Sequence, residues 1–128
     1  MNKAQALIPT EAAALALAAV QHLRATFDEE KQMSLTTAAT LLAALANPDS
    51  RQSDLTAVVG GLTPGAMSKQ LDLLEGRYSS PDRPRLVYKS RNEVNRKEND
   101  VIVTEDGTKF TADLARRVNQ LLKRGGYI

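Results

Sequence analysis

The residues from Thr63 to Lys69 have the types and spacing needed to bind a phosphate or the edge of a base. Thr63 is a predicted N-cap and Pro64 a predicted first helical residue, because proline lacks the N–H that a first turn leaves unpaired. The free N–H groups of such a turn favour a phosphate. Lys69 follows one turn later and can reach a guanine edge or a phosphate. The segment therefore predicts a helix whose start contacts a polyanion.

Hydrophobic periodicity gives this helix an inner and an outer side. Met67, Leu71 and Leu74 fall within about 60° of one another at about 100° per residue, so they are predicted to face the core. The opposite arc is small or polar and consists of Gly65, Ser68, Lys69 and Asp72. Short outward side chains allow a helix to approach a DNA major groove closely. An ordinary amphipathic surface helix is the alternative interpretation.

A basic segment from Arg83 to Lys97 is the second feature that could bind a polyanion. It contains six cations and one anion, Glu93. The cations are Arg83, Arg85, Lys89, Arg91, Arg96 and Lys97. An arginine at a hairpin tip can enter a narrow minor groove, where negative potential is concentrated. A solvated, charged loop is the alternative.

A helix-turn-helix over about residues 53–75 would position the first of these features. A short helix is predicted to follow Ser53, which would then lie at its start. Gly60 and Gly61 end this helix, because glycine adopts the positive φ of a tight turn without strain. The second helix of the pair runs to about Glu75.

Two earlier helices are predicted to support this pair. The first covers about residues 11–28, with Thr10 as its N-cap, and the second runs from a Ser34 cap to Ala46. His22, in the first of them, is expected to be a half-buried surface residue.

A wing over about residues 86–104 follows the helix-turn-helix. Its predicted strands are Leu86 to Lys89 and Asp100 to Thr104, and a closing helix covers about residues 105–124. The fold class is therefore mainly α with a small β-hairpin, arranged as a winged helix-turn-helix in a single domain over residues 1–128.

Composition excludes several classes of function. The chain has no cysteine and a single histidine, so disulfides and Cys- or His-rich metal sites are not expected. No nucleophile with a base partner and no phosphate-binding glycine loop is evident, so neither an enzyme nor a cofactor is expected. The most apolar stretch, Ala12 to Val20, is too short to span a membrane and has no signal-peptide pattern, so a cytoplasmic location is expected.

The run Leu62 to Glu75 resembles the recognition helix of MarR-type regulators, with a small residue at Ser68, a cation at Lys69 and a closing Leu-Glu. Asn95-Arg96-Lys97 and Val103-Thr104-Glu105-Asp106-Gly107 resemble that family's Asp-Arg-Arg wing tip and its Leu-Thr-x-x-Gly helix start. Together these motifs cover about residues 35–122.

The resemblance implies a homodimeric bacterial transcription regulator that binds double-stranded DNA at a pseudo-palindromic site, with no membrane partner and an unspecified small-molecule effector. It assigns minor-groove insertion to Arg96, and base or phosphate contacts to Thr63 and its neighbours. With the basic wing included, the predicted DNA contacts are Ser53, Thr63, Pro64, Gly65, Ser68, Lys69, Asp72, Lys89, Arg91, Asn95, Arg96 and Lys97.

Three features depart from the family pattern. Asn95 stands where the family has an aspartate that orients the wing arginine, and the connection from Gly76 to Pro84 is longer than the family's turn. The chain also ends soon after the last helix, where the family has a further helix. Apolar residues near helix termini often close symmetric dimers. The predicted dimer contacts are Leu15, Ala19, Val118, Leu121, Leu122, Tyr127 and Ile128.

Two other functions fit the sequence. The outward face of the recognition helix is nearly uncharged and the wing is long, which would also suit an architectural or partition-type DNA binder with little base readout. A winged helix used for protein–protein contact is favoured by Asp72, since a carboxylate on the presumed DNA face repels phosphate.

Overall fold

The structure, a computed structural model, describes residues 9–27, 33–76, 78, 85–95 and 97–124. Within these ranges the chain forms five helices and three short strands. In chain order they are α1 (Pro9–Thr26), α2 (Leu35–Ala46), β1 (Ser50–Arg51), α3 (Gln52–Val59), α4 (Pro64–Glu75), β2 (Val87–Arg91), β3 (Asn99–Val103) and α5 (Glu105–Arg124). This order confirms the predicted winged helix-turn-helix, mainly α with a small antiparallel sheet.

The helix-turn-helix packs on α2. The Ser34 hydroxyl accepts the N–H of Thr37 at 3.1 Å, which confirms the predicted cap of α2. Leu55 of α3 and Met67 and Leu71 of α4 lose nearly all solvent exposure in the core that these helices form. Burying each such side chain stabilises the fold by about 1.5–3 kcal/mol, so the apolar stripe of α4 fixes which side of that helix faces outward.

The wing is a three-stranded antiparallel sheet in the order β1-β3-β2. The predicted hairpin is present, with Lys89 opposite Val101, but Ser50 also pairs with Val101 from the other side. β1 was missed because two residues carry no readable alternation. Since β1 leads directly into α3, it joins the wing to the helix-turn-helix.

Several predicted boundaries were wrong by one or two residues. α1 already includes Pro9, so Thr10 lies inside the helix and is not its N-cap. α3 begins at Gln52, which places Ser53 in its first turn, and the N-cap residue Arg51 makes no side-chain cap bond. Thr104 is not a strand residue: its hydroxyl accepts the N–H of Gly107 at 3.0 Å and so caps α5.

His22 is a core residue, contrary to the sequence prediction. It is 9% exposed at the packed contact between α1 and α5, and its ring centroid lies 4.5 Å from that of Phe110. Its Nε2–H lies 3.2 Å from the Phe110 carbonyl oxygen, to which it donates. The interpretation failed because the alanines around His22 give α1 no clear polar face.

Candidate nucleic-acid interface

The first turn of α4 is open to solvent. The Thr63 hydroxyl accepts the N–H of Ala66 at 3.1 Å, as the sequence predicted. Gly65 is exposed, and among the described residues no atom beyond its chain neighbours and its own helix backbone lies within 4 Å of where its Cβ would be. Pro64 to Met67 include no acidic residue, so the positive end of the helix dipole has no negative side chain of its own.

The outward face of α4 has the residues that periodicity predicted. Lys69 and Asp72 are exposed and Ser68 is partly exposed, whereas Met67 is fully buried beneath them. The Thr37 hydroxyl of α2 donates to the side-chain oxygen of Gln70 and helps to fix how α4 is rotated on α2. The outward face of α4 is therefore weakly charged, and Lys69 is its exposed cation.

Lys89 contacts α4 directly, which the sequence analysis did not foresee. Its Nζ forms an ion pair with Asp72 and lies 3.4 Å from the Ser68 hydroxyl. Its backbone N–H donates to the Glu75 carboxylate at 2.8 Å. The Lys89 side chain is only 19% exposed, so its ammonium group interacts mainly with α4 and is little available to an external anion.

A second wing cation also turns toward α4. A guanidinium nitrogen of Arg85 lies 4.0 Å from the Glu75 carboxylate, and the guanidinium carbon of Arg85 lies 5.7 Å from the centre of the Tyr88 ring. Among the described residues, Arg91 and Lys97 are the exposed wing cations that make no ion pair. Arg83 and Arg96 lie outside the described residues.

The asparagines at the wing tip hold the turn together. The side-chain oxygen of Asn92 accepts the N–H groups of Val94 and Asn95 at 2.9 and 2.8 Å. The side-chain oxygen of Asn95 accepts the N–H of Lys97 at 3.1 Å. An amide oxygen thus binds the backbone beside the position of the wing arginine, where the family pattern has a carboxylate. Val94, at the tip, is 98% exposed.

The wing is also tied to α3. The Glu98 carboxylate accepts the backbone N–H of Ser53 at 3.1 Å, so it occupies a donor in the first turn of α3. The side-chain amide of Asn99 lies 3.4 Å from the Gln52 side-chain oxygen, to which it donates. Ser53, predicted to contact DNA, thus has its N–H engaged by the wing, while its own side chain is exposed.

The sequence analysis did not identify Glu75 and Glu98 as residues that hold the wing. For the contact between Lys89 and α4, the alternation of residues along β2 was an available signal. Lys89 stands two residues after Val87, which is buried, so strand alternation places both on the inner face of the sheet. A lysine there must point toward the helices rather than outward.

The residues predicted to form a dimer contact are mostly half-buried. Leu15, Ala19, Val118, Leu121 and Leu122 all have this intermediate exposure in α1 and α5. Tyr127 and Ile128 lie outside the described residues. The larger exposed apolar side chains of α1 are Leu17, 52% exposed, and Val20, 47% exposed, which the sequence analysis had not selected.

In the described parts of the chain, no helix has both the length and the apolar character to cross a membrane. Those same parts contain no group of three or more His, Cys, Asp or Glu residues placed to hold a metal ion.

The arrangement of helices and wing is shared with solved transcriptional regulators. A complex of S. aureus MepR with DNA superposes with a TM-score of 0.62 at 16% identity, covering 91% of this chain and 86% of that one. The regulator Tm0710 from Thermotoga maritima gives 0.65 at 11% identity, covering 88% and 70%. A MarR transcriptional regulator from Methanosarcina mazei Go1 gives 0.56 at 15%, covering 88% and 71%.

The fold is that of the MarR-type winged-helix regulators. This confirms the likeness inferred from the recognition-helix and wing motifs. No protein-family model matches the chain, and a comparison with curated proteins gives no match. The likeness therefore rests on three-dimensional structure, and in sequence on the short motifs around α4 and the start of α5.

Proposed function

We propose that this protein is a transcription regulator that binds double-stranded DNA sequence-selectively, as a homodimer. The observation that carries the proposal is the outer side of α4. Its first turn is open and free of acidic residues, its outward face is small or polar, and a wing with exposed Arg91 and Lys97 lies beside it. The proposal is also supported by the similar fold of S. aureus MepR, which was solved in complex with DNA.

The two parts of this surface have different roles in the proposal. The N–H groups at the start of α4 bind a phosphate, and Lys69 reaches a guanine edge or a second phosphate. Arg91 and Lys97, with Arg96, contact the sugar-phosphate backbone or a minor groove. Since Lys89 and Arg85 are paired with acidic residues of α4, the wing supplies less free charge than its composition suggests.

A selection from random duplexes, followed by titration at stated salt, tests this proposal. We expect Lys69→Ala to weaken binding by about 1–3 kcal/mol if Lys69 contacts a base. We expect Arg96→Ala to reduce the slope of log affinity against log salt by about one unit if it neutralises one phosphate. Lys123→Ala, an exposed cation in the last turn of α5, is the matched control and should change neither quantity. Unchanged affinity in both test variants would contradict this placement of the site.

The same titration separates the alternative functions. Equal affinity for selected and random duplexes would favour an architectural binder with little base readout. Absence of binding to any duplex at low salt would favour a protein-contact role. Asp72 was the feature that suggested that role, and its ion pair with Lys89 weakens this argument.

The homodimer is supported by the apolar side chains that α1 exposes and by the half-buried leucines near the end of α5. Sedimentation equilibrium should give twice the chain mass, and Leu17→Glu should shift the protein toward monomer. In the complex, the two α4 helices should lie about 34 Å apart, one turn of DNA. A monomer that binds a single half-site with full affinity would overturn this part of the proposal.

A further inference from the structure

Lys89 of the wing meets two residues on the outward face of α4. Its Nζ pairs with the Asp72 carboxylate and lies 3.4 Å from the Ser68 hydroxyl. The sequence analysis placed all three residues among the DNA contacts as independent contributors. Their arrangement links them into one unit, and the inference drawn from it rests on the DNA-binding function proposed above.

The position of Lys89 is fixed by its backbone and by the strand that carries it. Its N–H donates to Glu75, and it pairs across the sheet with Val101. It shares the inner face of β2 with Val87, which is fully buried. The side chain is 19% exposed, against 63% for its partner Asp72. Lys89 is therefore held toward α4, whereas Asp72 is the member of the pair that faces outward.

An unpaired carboxylate at Asp72 would oppose DNA binding. It lies on the same outward arc as Ser68 and Lys69, so a phosphate that approaches α4 would meet like charge. The ammonium group of Lys89 removes this repulsion, because the pair is neutral at the surface where the DNA would bind. The net charge of the α4 face is then set by Lys69 alone.

Ser68 differs from several helical hydroxyl groups of the described residues. Thr40, Thr56 and Thr111 each donate to the carbonyl four residues earlier, at 2.8 to 2.9 Å. Among the described residues, Ser68 makes no such bond, and its oxygen instead accepts from Lys89. The ammonium group engages one of the two lone pairs of the Ser68 oxygen and leaves the hydroxyl hydrogen for another acceptor, which favours Ser68 as a donor.

We propose that Lys89 is a positioning residue, which cancels the charge of Asp72 and presents Ser68 to DNA as a hydrogen-bond donor. In the major groove a donor pairs with guanine O6 or N7, adenine N7 or thymine O4, and not with the amino group of cytosine. Lys89 thus sets the charge of the α4 face and favours base edges that accept the Ser68 hydroxyl hydrogen.

A double-mutant cycle tests the charge-cancelling role. Lys89→Met keeps the length of the side chain without its charge, and we expect it to weaken duplex binding about tenfold or more. In an Asp72→Asn background the same change should cost less than about threefold, because no repulsion is left to cancel. Lys89→Arg should restore wild-type affinity in the presence of Asp72. Thermal unfolding of each variant shows whether the fold is intact.

A direct contact between Lys89 and a phosphate predicts a different result. The loss on Lys89→Met would then be equal in both backgrounds, and the salt slope would fall by about one unit in each. Equal losses would overturn the proposal while leaving the DNA-binding function standing. Failure of that function would be evident earlier, as absence of duplex binding by the wild-type protein, and would overturn both.

The base preference gives a readout that a purely structural role would not move. In selections from random duplexes, Ser68→Ala should relax one base position per half-site, at which the wild-type protein discriminates against cytosine. The Lys89→Met/Asp72→Asn variant should relax the same position, since no cationic donor then favours Ser68 as a donor over Ser68 as an acceptor. If the Ser68→Ala profile equals that of the wild-type protein at every position, the assigned role of Ser68 is wrong.

Discussion

The first turns of α4 and α5 have the same cap and opposite surroundings. The Thr63 hydroxyl accepts the N–H three residues later at 3.1 Å, and the Thr104 hydroxyl accepts the N–H of Gly107 at 3.0 Å. Thr104 is also bound to the segment before β2, since its N–H donates to the Leu86 carbonyl at 2.9 Å and its hydroxyl donates to the Arg85 carbonyl at 2.7 Å. The same local structure thus begins one helix whose first turn is open and another whose first turn packs against the rest of the protein.

A glycine in each turn shows how far the surroundings differ. Beyond its chain neighbours and its own helix backbone, a Cβ on Gly65 would meet no atom of the described residues within 4 Å, so the space beside it is open. A Cβ on Gly107 would overlap the Leu86 carbonyl oxygen and lie 2.8 Å from a methyl carbon of Val103. Gly107 is required by the fold, whereas nothing within the described structure requires Gly65.

The two turns also differ in charge. Glu105 and Asp106 lie in the first turn of α5, where they compensate the positive end of its dipole. The first turn of α4 has no acidic residue. A shared cap therefore does not decide the role of a helix start. Neighbouring atoms and charges make the first turn of α5 a packing contact and leave the first turn of α4 free for an external anion.

The largest expected effect is at the buried turn. Gly107→Ala forces a methyl group against the backbone of Leu86, and we expect it to lower the free energy of unfolding by about 1–3 kcal/mol. Chemical denaturation monitored by circular dichroism measures this loss. Gly65→Ala is the matched control, with no expected loss of stability. Equal destabilisation by the two changes would show that the two turns do not differ in packing.

The open turn gives the second prediction. Gly65→Ala should leave the protein as stable as before or more stable by up to about 1 kcal/mol, because alanine is the better helix former. Duplex affinity should nevertheless fall about tenfold, a loss of about 1.4 kcal/mol, because the added methyl group meets the DNA that approaches the helix start. An affinity equal to that of the wild-type protein would show that this turn does not come close to DNA.

Exchanging the charges of the two turns should give a smaller effect. Ala66→Glu adds a carboxylate to the first turn of α4, so it should stabilise that helix by about 0.3–1 kcal/mol and weaken duplex binding. Asp106→Asn removes one from α5 and should cost stability of similar size while binding is kept. Stability and affinity are measured on both variants. If the two quantities rose or fell together in each variant, the first turns of α4 and α5 would not have separate roles in DNA binding and in packing.

The smallest effect is expected from pH, at the buried side of α5. Burial lowers the pKa of His22 below its ordinary value; the hydrogen bond to the Phe110 carbonyl opposes this shift, and the charge of Arg117 adds to it. His22 Nδ1 is buried with no partner among the described residues, so a proton there would be unpaired. The unfolded chain therefore binds the proton more readily than the folded one.

It follows that stability contributed by neutral His22 is complete above about pH 6.5 and declines as the pH falls below that value. Denaturation at a series of pH values should show this decline in the wild-type protein. His22→Gln retains a donor for the Phe110 carbonyl but does not titrate, so it should lack this part of the pH dependence. The same pH profile in both proteins would assign the decline to other groups.

The sequence alone determined the local structure of the candidate site. Thr63 with Pro64 starts α4, Gly60 and Gly61 adopt positive φ values of 75° and 69° in the turn before it, and the apolar period of α4 decides which residues face outward. These features depend on backbone preferences and on a helical period that operate within a few residues. They could therefore be predicted without knowledge of the rest of the fold.

The distribution of charge over that site depends on contacts between distant parts of the chain. The pair of Lys89 with Asp72 spans 17 residues, and the bond from Ser53 to Glu98 spans 45. Both depend on the register of the wing strands and on where β1 attaches the sheet to α3. A count of charges along the chain treats Lys89 as a free cation and Asp72 as a repelling carboxylate. Folding brings them together, because the inner face of β2 lies against α4.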